Sequence, residues 1–168
     1  MSLHTFWATV WLVGIIVVLL FTFVVAFGAP FLPILKDKVS PALDLIDLKP
    51  GQTLLELGSG DGRILVEAAK RGLNAVGYEL NPLLVIYSWI RTMKYRKQVR
   101  IIWGNYWMKE WPKADGIFVF LLQPYMEKLD KKIIQYNHKP VKLVSFAFTI
   151  NSRKPAKKHQ GLFLYTYK

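Results

Sequence analysis

Leu54-Leu-Glu-Leu-Gly-Ser-Gly-Asp-Gly-Arg63 is the stretch from which the rest of the chain is read. An apolar strand carrying Glu56 runs into a loop with glycine at 58, 60 and 62, and a helical pattern starts at once. Glycine lets the backbone take positive φ and lets a ligand approach the main chain closely. The first N–H groups of the following helix have no intrahelical partner and point into the same space. In an open α/β sheet, such a turn at the carboxyl end of a parallel strand is the mouth of a nucleotide or cofactor site.

Spacing narrows the cofactor. The dinucleotide fingerprint requires G-x-G-x-x-G, whereas the glycines here fall as G-x-G-x-G. Asn74-Ala-Val-Gly-Tyr-Glu79 is a second apolar strand ending in a carboxylate. It lies about 20 residues downstream, where an acid accepts ribose hydroxyls. Together, Glu-Leu-Gly-Ser-Gly-Asp-Gly and Tyr-Glu-Leu-Asn-Pro resemble motifs I and II of the class I S-adenosylmethionine-dependent methyltransferases. The resemblance implies a compact Rossmann-like α/β sheet, mostly parallel with its last strand antiparallel, and S-adenosylmethionine as cofactor.

The remaining pattern supplies the elements. Strands are expected at 53–57, 74–79, 100–103, 114–122, 141–150 and 162–167, and helices at 62–71, 82–97 and 125–134. Ser40-Pro41 reads as an N-cap with proline at the first helical position, starting a short helix to Leu48. Residues 151–160 are basic and read as a link.

From residue 6 to 27 no formal charge occurs. As a helix these residues would span roughly 33 Å against about 30 Å of hydrocarbon, so a transmembrane helix is expected. All 23 Lys and Arg residues follow it. The positive-inside rule then sets the folded part on the cytoplasmic side, or the matrix side in a mitochondrion. The net charge of +12 is read as attraction to anionic headgroups rather than to nucleic acid. The expected organisation is a membrane helix over 1–28, an interfacial neck and short helix over 29–49, and a methyltransferase domain over 50–168. The absence of cysteine excludes disulfides and thiol catalysis. His4, His138 and His159 have no ligand spacing, so no metal is implied.

With Gly28-Ala-Pro-Phe-Leu-Pro-Ile-Leu-Lys36 placed before the two motifs, the chain looks like a narrower family. This is the family of mitochondrial protein-lysine methyltransferases that modify the c-ring protein of ATP synthase and the adenine nucleotide translocase, together with their short prokaryotic relatives. The match covers roughly residues 28–135. The resemblance implies that Glu56, Gly58, Gly60 and Glu79 bind S-adenosylmethionine and that Asp61 helps form the loop. Ser59 and Leu80 flank these positions; Asn105, at the end of the third strand, is placed to meet the adenine amino group, with Tyr106 beside it to stack. Two departures stand out. Asn105 replaces a frequent aspartate, and Leu121-Leu-Gln-Pro-Tyr125 follows the family's glycine-valine-proline segment only loosely.

Methyl transfer is an in-line displacement, so the protein's main task is positioning. An acceptor lysine, with a pKa near 10.4 in water, must also lose its proton before it attacks. Gln123 and Tyr125 are the candidate catalytic residues, and Asp61 is a more distant candidate for handling the proton. The expectation is a membrane-anchored methyltransferase that modifies a lysine of a membrane protein, in contact with the bilayer. Two alternatives are a lipid-soluble acceptor, such as a quinone or lipid headgroup, and a membrane-anchored module that binds the cofactor without turnover.

Overall fold

Alternation of apolar side chains along short strands builds this molecule. Leu54, Phe118 and Val144 face one side of a sheet, while Leu55, Ile117 and Leu143 face the other, and each set anchors its own core. The structure, a computed structural model, describes residues 2–27, 32–136 and 140–168. Residues 28–31 of the expected neck and His138 lie outside the described residues. The chain divides into two units, 1–31 and 32–168.

The first unit holds α1 (Leu3–Phe27), capped by the Ser2 hydroxyl, which accepts the Thr5 N–H at 3.2 Å. Among the described residues, no helix is long and apolar enough to cross a membrane. The expected transmembrane helix is therefore corrected. Its first turns carry His4, Thr5 and Thr9 among the apolar residues. The single-pass localisation falls with it, and the bilayer contact inferred from it loses its support.

The second unit contains, in chain order, α2 (Lys36–Ile46), β1 (Thr53–Leu57), α3 (Arg63–Lys70), β2 (Asn74–Glu79), α4 (Pro82–Thr92), β3 (Val99–Trp103), β4 (Gly116–Val119), α5 (Met126–Ile134), β5 (Val141–Phe146), β6 (Lys157–His159) and β7 (Leu162–Tyr167). The seven strands lie in the order β3-β2-β1-β4-β5-β7-β6. β1 to β5 run parallel, and β7 is antiparallel to both β5 and β6. The Rossmann-like sheet is thus the one expected, without the membrane helix attached to that expectation.

The register positions the site. Leu57 is level with Tyr78 on one side and Val119 on the other, and Glu79 is level with Trp103. The loops after β1, β2, β3 and β4 therefore open along one edge, where the strand order reverses about β1. Helices cover both faces: α2 and α3 bury Leu43, Ile46, Ile64 and Leu65 against one core, and α5 buries Met126, Leu129 and Ile133 against the other.

Several boundaries differ from the sequence pattern. α2 begins at Lys36, so Pro41 sits inside the helix rather than at its start. α4 stops at Thr92, whose hydroxyl donates to the Ser88 carbonyl at 2.8 Å, and a 3-10 turn follows at Met93–Tyr95. A Thr bonding back one turn is a known cause of bending. β5 ends at Phe146 because Ala147 takes a positive φ of 66°. β6 falls in the expected link, where Lys157, Lys158 and His159 are all exposed and carry no apolar alternation. Charged residues suit an edge strand, where they discourage pairing with another chain.

Candidate active site

The loop after β1 is held from below by its neighbours. Gly58 and Ser59 both donate N–H groups to the Tyr78 carbonyl, at 2.9 and 2.8 Å, so β2 extends its pairing into the turn. Gly58 has φ +86° with open space around its missing Cβ, so backbone conformation rather than crowding requires glycine there. Gly77 has the opposite reason: a Cβ would come within 2.6 Å of Ser59 Cβ and 2.7 Å of Leu65 Cδ1. This glycine lets β2 pass directly beneath the loop. Sequence reasoning missed it, although a lone glycine inside a strand signals a close approach.

Glu79 closes the loop. Its Oε2 accepts the Gly60 N–H at 2.8 Å and its Oε1 accepts the Asn81 N–H at 2.8 Å. One buried carboxylate thus joins the first glycine turn to the start of α4. Burial raises its pKa, opposed by these backbone N–H donors. Glu56 lies on β1 within the same electrostatic field. Burial, then the neighbouring Asp61 and Glu79 charges, push its carboxyl well above the ordinary range, and Arg63 opposes them. Its Oε2 and the Ser59 hydroxyl are buried without a hydrogen-bond partner.

Asp61 is clamped on the outer side of the loop. Arg63 Nε and Nη2 bond its two oxygens at 2.9 and 2.8 Å, and Arg91 from α4 donates to Oδ2. Burial pushes this carboxyl up, but the Arg63 bonds and the Arg91 charge together hold it below its ordinary value. Arg63 also donates to the Ile34 carbonyl at 2.6 Å, tying the approach to α2 to the loop. Asp61 is therefore a structural anchor with its acceptors occupied, which argues against a role in taking the substrate proton. The Arg91 contact was not legible in the sequence, because it lies 30 residues from its partner.

The other expected residues line the same edge. The Leu80 carbonyl accepts the Trp103 indole N–H at 3.0 Å. Asn105 accepts the Trp107 N–H at 2.9 Å through Oδ1 and so caps the 3-10 turn Tyr106–Met108. Tyr106 is half-buried, and burial, then Tyr125 and Glu79, raise its phenol pKa. Its ring lies 4.9 Å from that of Trp107, which in turn lies 6.4 Å from Tyr125 in the turn after β4. Gln123 is used differently: its Nε2 donates to the Thr149 carbonyl at 2.9 Å, and its Oε1 accepts the Thr149 N–H at 3.3 Å. Its amide pins the segment after β5 and is not free for substrate. Tyr125 is 43% exposed and stands at the mouth.

Unpartnered Glu56 Oε2 and Ser59 Oγ, three glycines at positive φ and a carboxylate-bound loop N–H make a polar, close-approach cradle. These features fit a cofactor carrying hydroxyls and a cationic centre. A family model described as the ANTKMT methyltransferase domain matches residues 56–157. The chain is 34% identical over 106 residues to the lysine N-methyltransferase of Xenopus laevis that is named for the C component of ATP synthase, covering 62% of this chain and 46% of that protein. It is 27% identical over 130 residues to a protein-lysine N-methyltransferase of Saccharolobus islandicus, covering 75% of this chain and 81% of that one. A solved RNA methyltransferase from Salinibacter ruber, in complex with S-adenosyl-L-homocysteine, superimposes with a TM-score of 0.76 at 25% identity, covering 80% of this chain and 93% of that one. The chain spans about half the length of the first of these relatives, 46%.

Proposed function

The chain belongs to the ANTKMT methyltransferase domain family, and from that membership we propose that it methylates the side-chain amine of a lysine in a protein substrate. Its cofactor is S-adenosylmethionine, which when bound supplies an electrophilic methyl group on a cationic sulfur. The observation that carries the reading is the closure of the glycine loop on Glu79 with the buried, unpartnered Glu56 Oε2 and Ser59 Oγ beside it. We assign Glu56, Gly58, Ser59, Gly60, Glu79 and Leu80 to holding the cofactor, with Asn105 and Tyr106 on its far side. Asp61 keeps the loop in shape through Arg63 and Arg91.

The chain's own part in the chemistry is alignment and exclusion of water. Tyr125 orients the incoming amine, and Gln123 acts through the 149–151 segment that it pins. The acceptor lysine gives its proton to water, since Asp61 is already committed to two arginines. The proposed acceptor is a membrane protein, by analogy with the relatives named for a component of ATP synthase. A second reading, RNA as acceptor, draws on the net charge of +12 and on the likeness to the Salinibacter RNA methyltransferase.

Incubation with methyl-labelled S-adenosylmethionine and a host extract, followed by separation into protein, RNA and organic fractions, tests these readings together. Label in protein that disappears with Glu79→Ala supports the lysine reading. Label confined to RNA replaces it with the second, and label confined to the organic fraction moves the acceptor to a lipid-soluble molecule.

A further inference from the structure

Three aromatic rings stand together at the mouth, contributed by two different loops. Tyr106 and Trp107 follow β3, and Tyr125 closes the 3-10 turn Gln123–Tyr125 after β4. The Tyr106 and Trp107 centroids are 4.9 Å apart with planes at 44°, and those of Trp107 and Tyr125 are 6.4 Å apart at 41°. The rings are tilted rather than stacked, so they form walls rather than a pile. Rings this close touch one another, so a cation is taken up on an outer face of the cluster rather than between its members.

The structure already contains such a cation. Lys128, exposed on α5, lays its Nζ 4.5 Å from the Trp107 ring centroid. It does so although carboxylates are close in sequence, because those are engaged elsewhere. Glu127 accepts from the Asn151 N–H and the Ser152 hydroxyl, and Asp130 accepts from Arg153 and Tyr167. On the cofactor side, both Glu79 oxygens hold backbone N–H groups. An ammonium arriving at the mouth therefore meets ring faces, with Glu79, Glu127 and Asp130 already engaged. The Trp107 main chain is held in turn: its N–H bonds Asn105, and its carbonyl accepts Lys132 Nζ at 3.0 Å.

We propose that Trp107 and Tyr125, with Tyr106 packed behind Trp107, form an alkylammonium-binding site that seats the acceptor side chain, and that the Lys128 ammonium is a resident occupant which the incoming cation displaces. This rests on the lysine-methyltransferase reading for the identity of the acceptor, while the site itself is a statement about cation binding. Its chemistry suits an acceptor that must be held and then deprotonated. Ring faces also favour the charged form, but less strongly than a carboxylate would and without occupying its N–H bonds, which leaves the proton a path to water. Lys128 sets the threshold for entry, since any ligand must replace it on Trp107.

The test uses the full chain with choline as the cationic probe and 3,3-dimethylbutan-1-ol as its neutral isostere, with binding read by saturation-transfer NMR on the methyl groups. Choline is expected to bind and the neutral alcohol to bind far more weakly. Trp107→Leu should weaken choline by roughly tenfold, while Trp107→Phe recovers part of the loss, as expected for a cation–π contact. Lys128→Ala should strengthen choline by several-fold, a change of sign that a merely structural role does not produce. Calorimetric binding of S-adenosylhomocysteine, unchanged across these variants, certifies the fold. Equal binding of choline and the alcohol, an unchanged affinity in Trp107→Leu, or no gain in Lys128→Ala would each overturn the site. A chain that binds choline as described but labels no lysine keeps this site and loses the lysine reading. Lysine labelling with an unaltered KM in Trp107→Leu does the reverse.

Discussion

Replacing Glu79 by alanine removes a side chain that ties the glycine loop to the start of α4. Two N–H donors, on Gly60 and Asn81, lose acceptors at 2.8 Å, at a residue only 9% exposed. Hydrogen bonds to charged groups contribute about 1.5–3 kcal/mol each, so the two together set a ceiling of about 3–6 kcal/mol. Water entering the vacated volume returns part of this, and the burial that raises the Glu79 pKa has already offset some of the charge-assisted strength. A net loss of about 2–3 kcal/mol remains, which corresponds to cofactor binding weakened by roughly 30- to 150-fold. Glu79→Gln keeps one acceptor but turns an NH2 group toward the other N–H, so its loss should be intermediate. Isothermal titration with S-adenosylhomocysteine measures both variants, with circular dichroism confirming the fold. An alanine variant that stays folded and binds within about threefold of the parent refutes the assignment of Glu79 to the loop and cofactor.

Other perturbations test the surrounding parts. Gly77→Ala pushes a methyl group into Ser59 and Leu65, and should lower stability by about 1–3 kcal/mol and weaken cofactor binding with it, as thermal melts with and without S-adenosylhomocysteine can read. Glu56 has a raised carboxyl pKa, so the fold binds its proton more tightly than the unfolded chain does. Its contribution is fully present below the ordinary carboxylate range and is lost as pH rises toward the elevated folded value. Glu56→Gln should therefore raise the cofactor-free melting temperature at pH 8 and flatten its fall with pH, with Asp61, Glu79 and Arg63 left as the charges facing the site. Gln123→Ala frees both backbone groups of Thr149, and should cost about 1–2 kcal/mol of stability and lower kcat without moving the pH profile of the reaction.

What can be read from the sequence is local. The strand-loop-helix around Gly58, Gly60 and Gly62 and the carboxylate closing β2 are contiguous patterns, and their mutual placement follows from two parallel strands paired in register. The residues that hold the loop are harder to find, because their partners are distant: Arg91 meets Asp61 across 30 positions, and Gln123 meets Thr149 across 26. Asn105 matches an adenine contact by position, yet its Oδ1 caps the turn that carries Tyr106 and Trp107. Gly77 looks like an ordinary strand residue in the sequence, since only the packing of Ser59 above it shows why a side chain is excluded. The N-terminal stretch reads as a span on its lack of charge over residues 6–27, and the described part of α1 does not supply a helix long and apolar enough to cross.

The most direct measurement of the central claim is peptide mass spectrometry on protein substrates labelled by the purified chain and S-adenosylmethionine, with Glu79→Ala in parallel. The account predicts whole-methyl mass increments on lysine side chains, dependent on active protein and lost in the variant. Methylation found only on RNA or on extracted lipid, or cofactor bound with no methyl group transferred to any fraction, would contradict it.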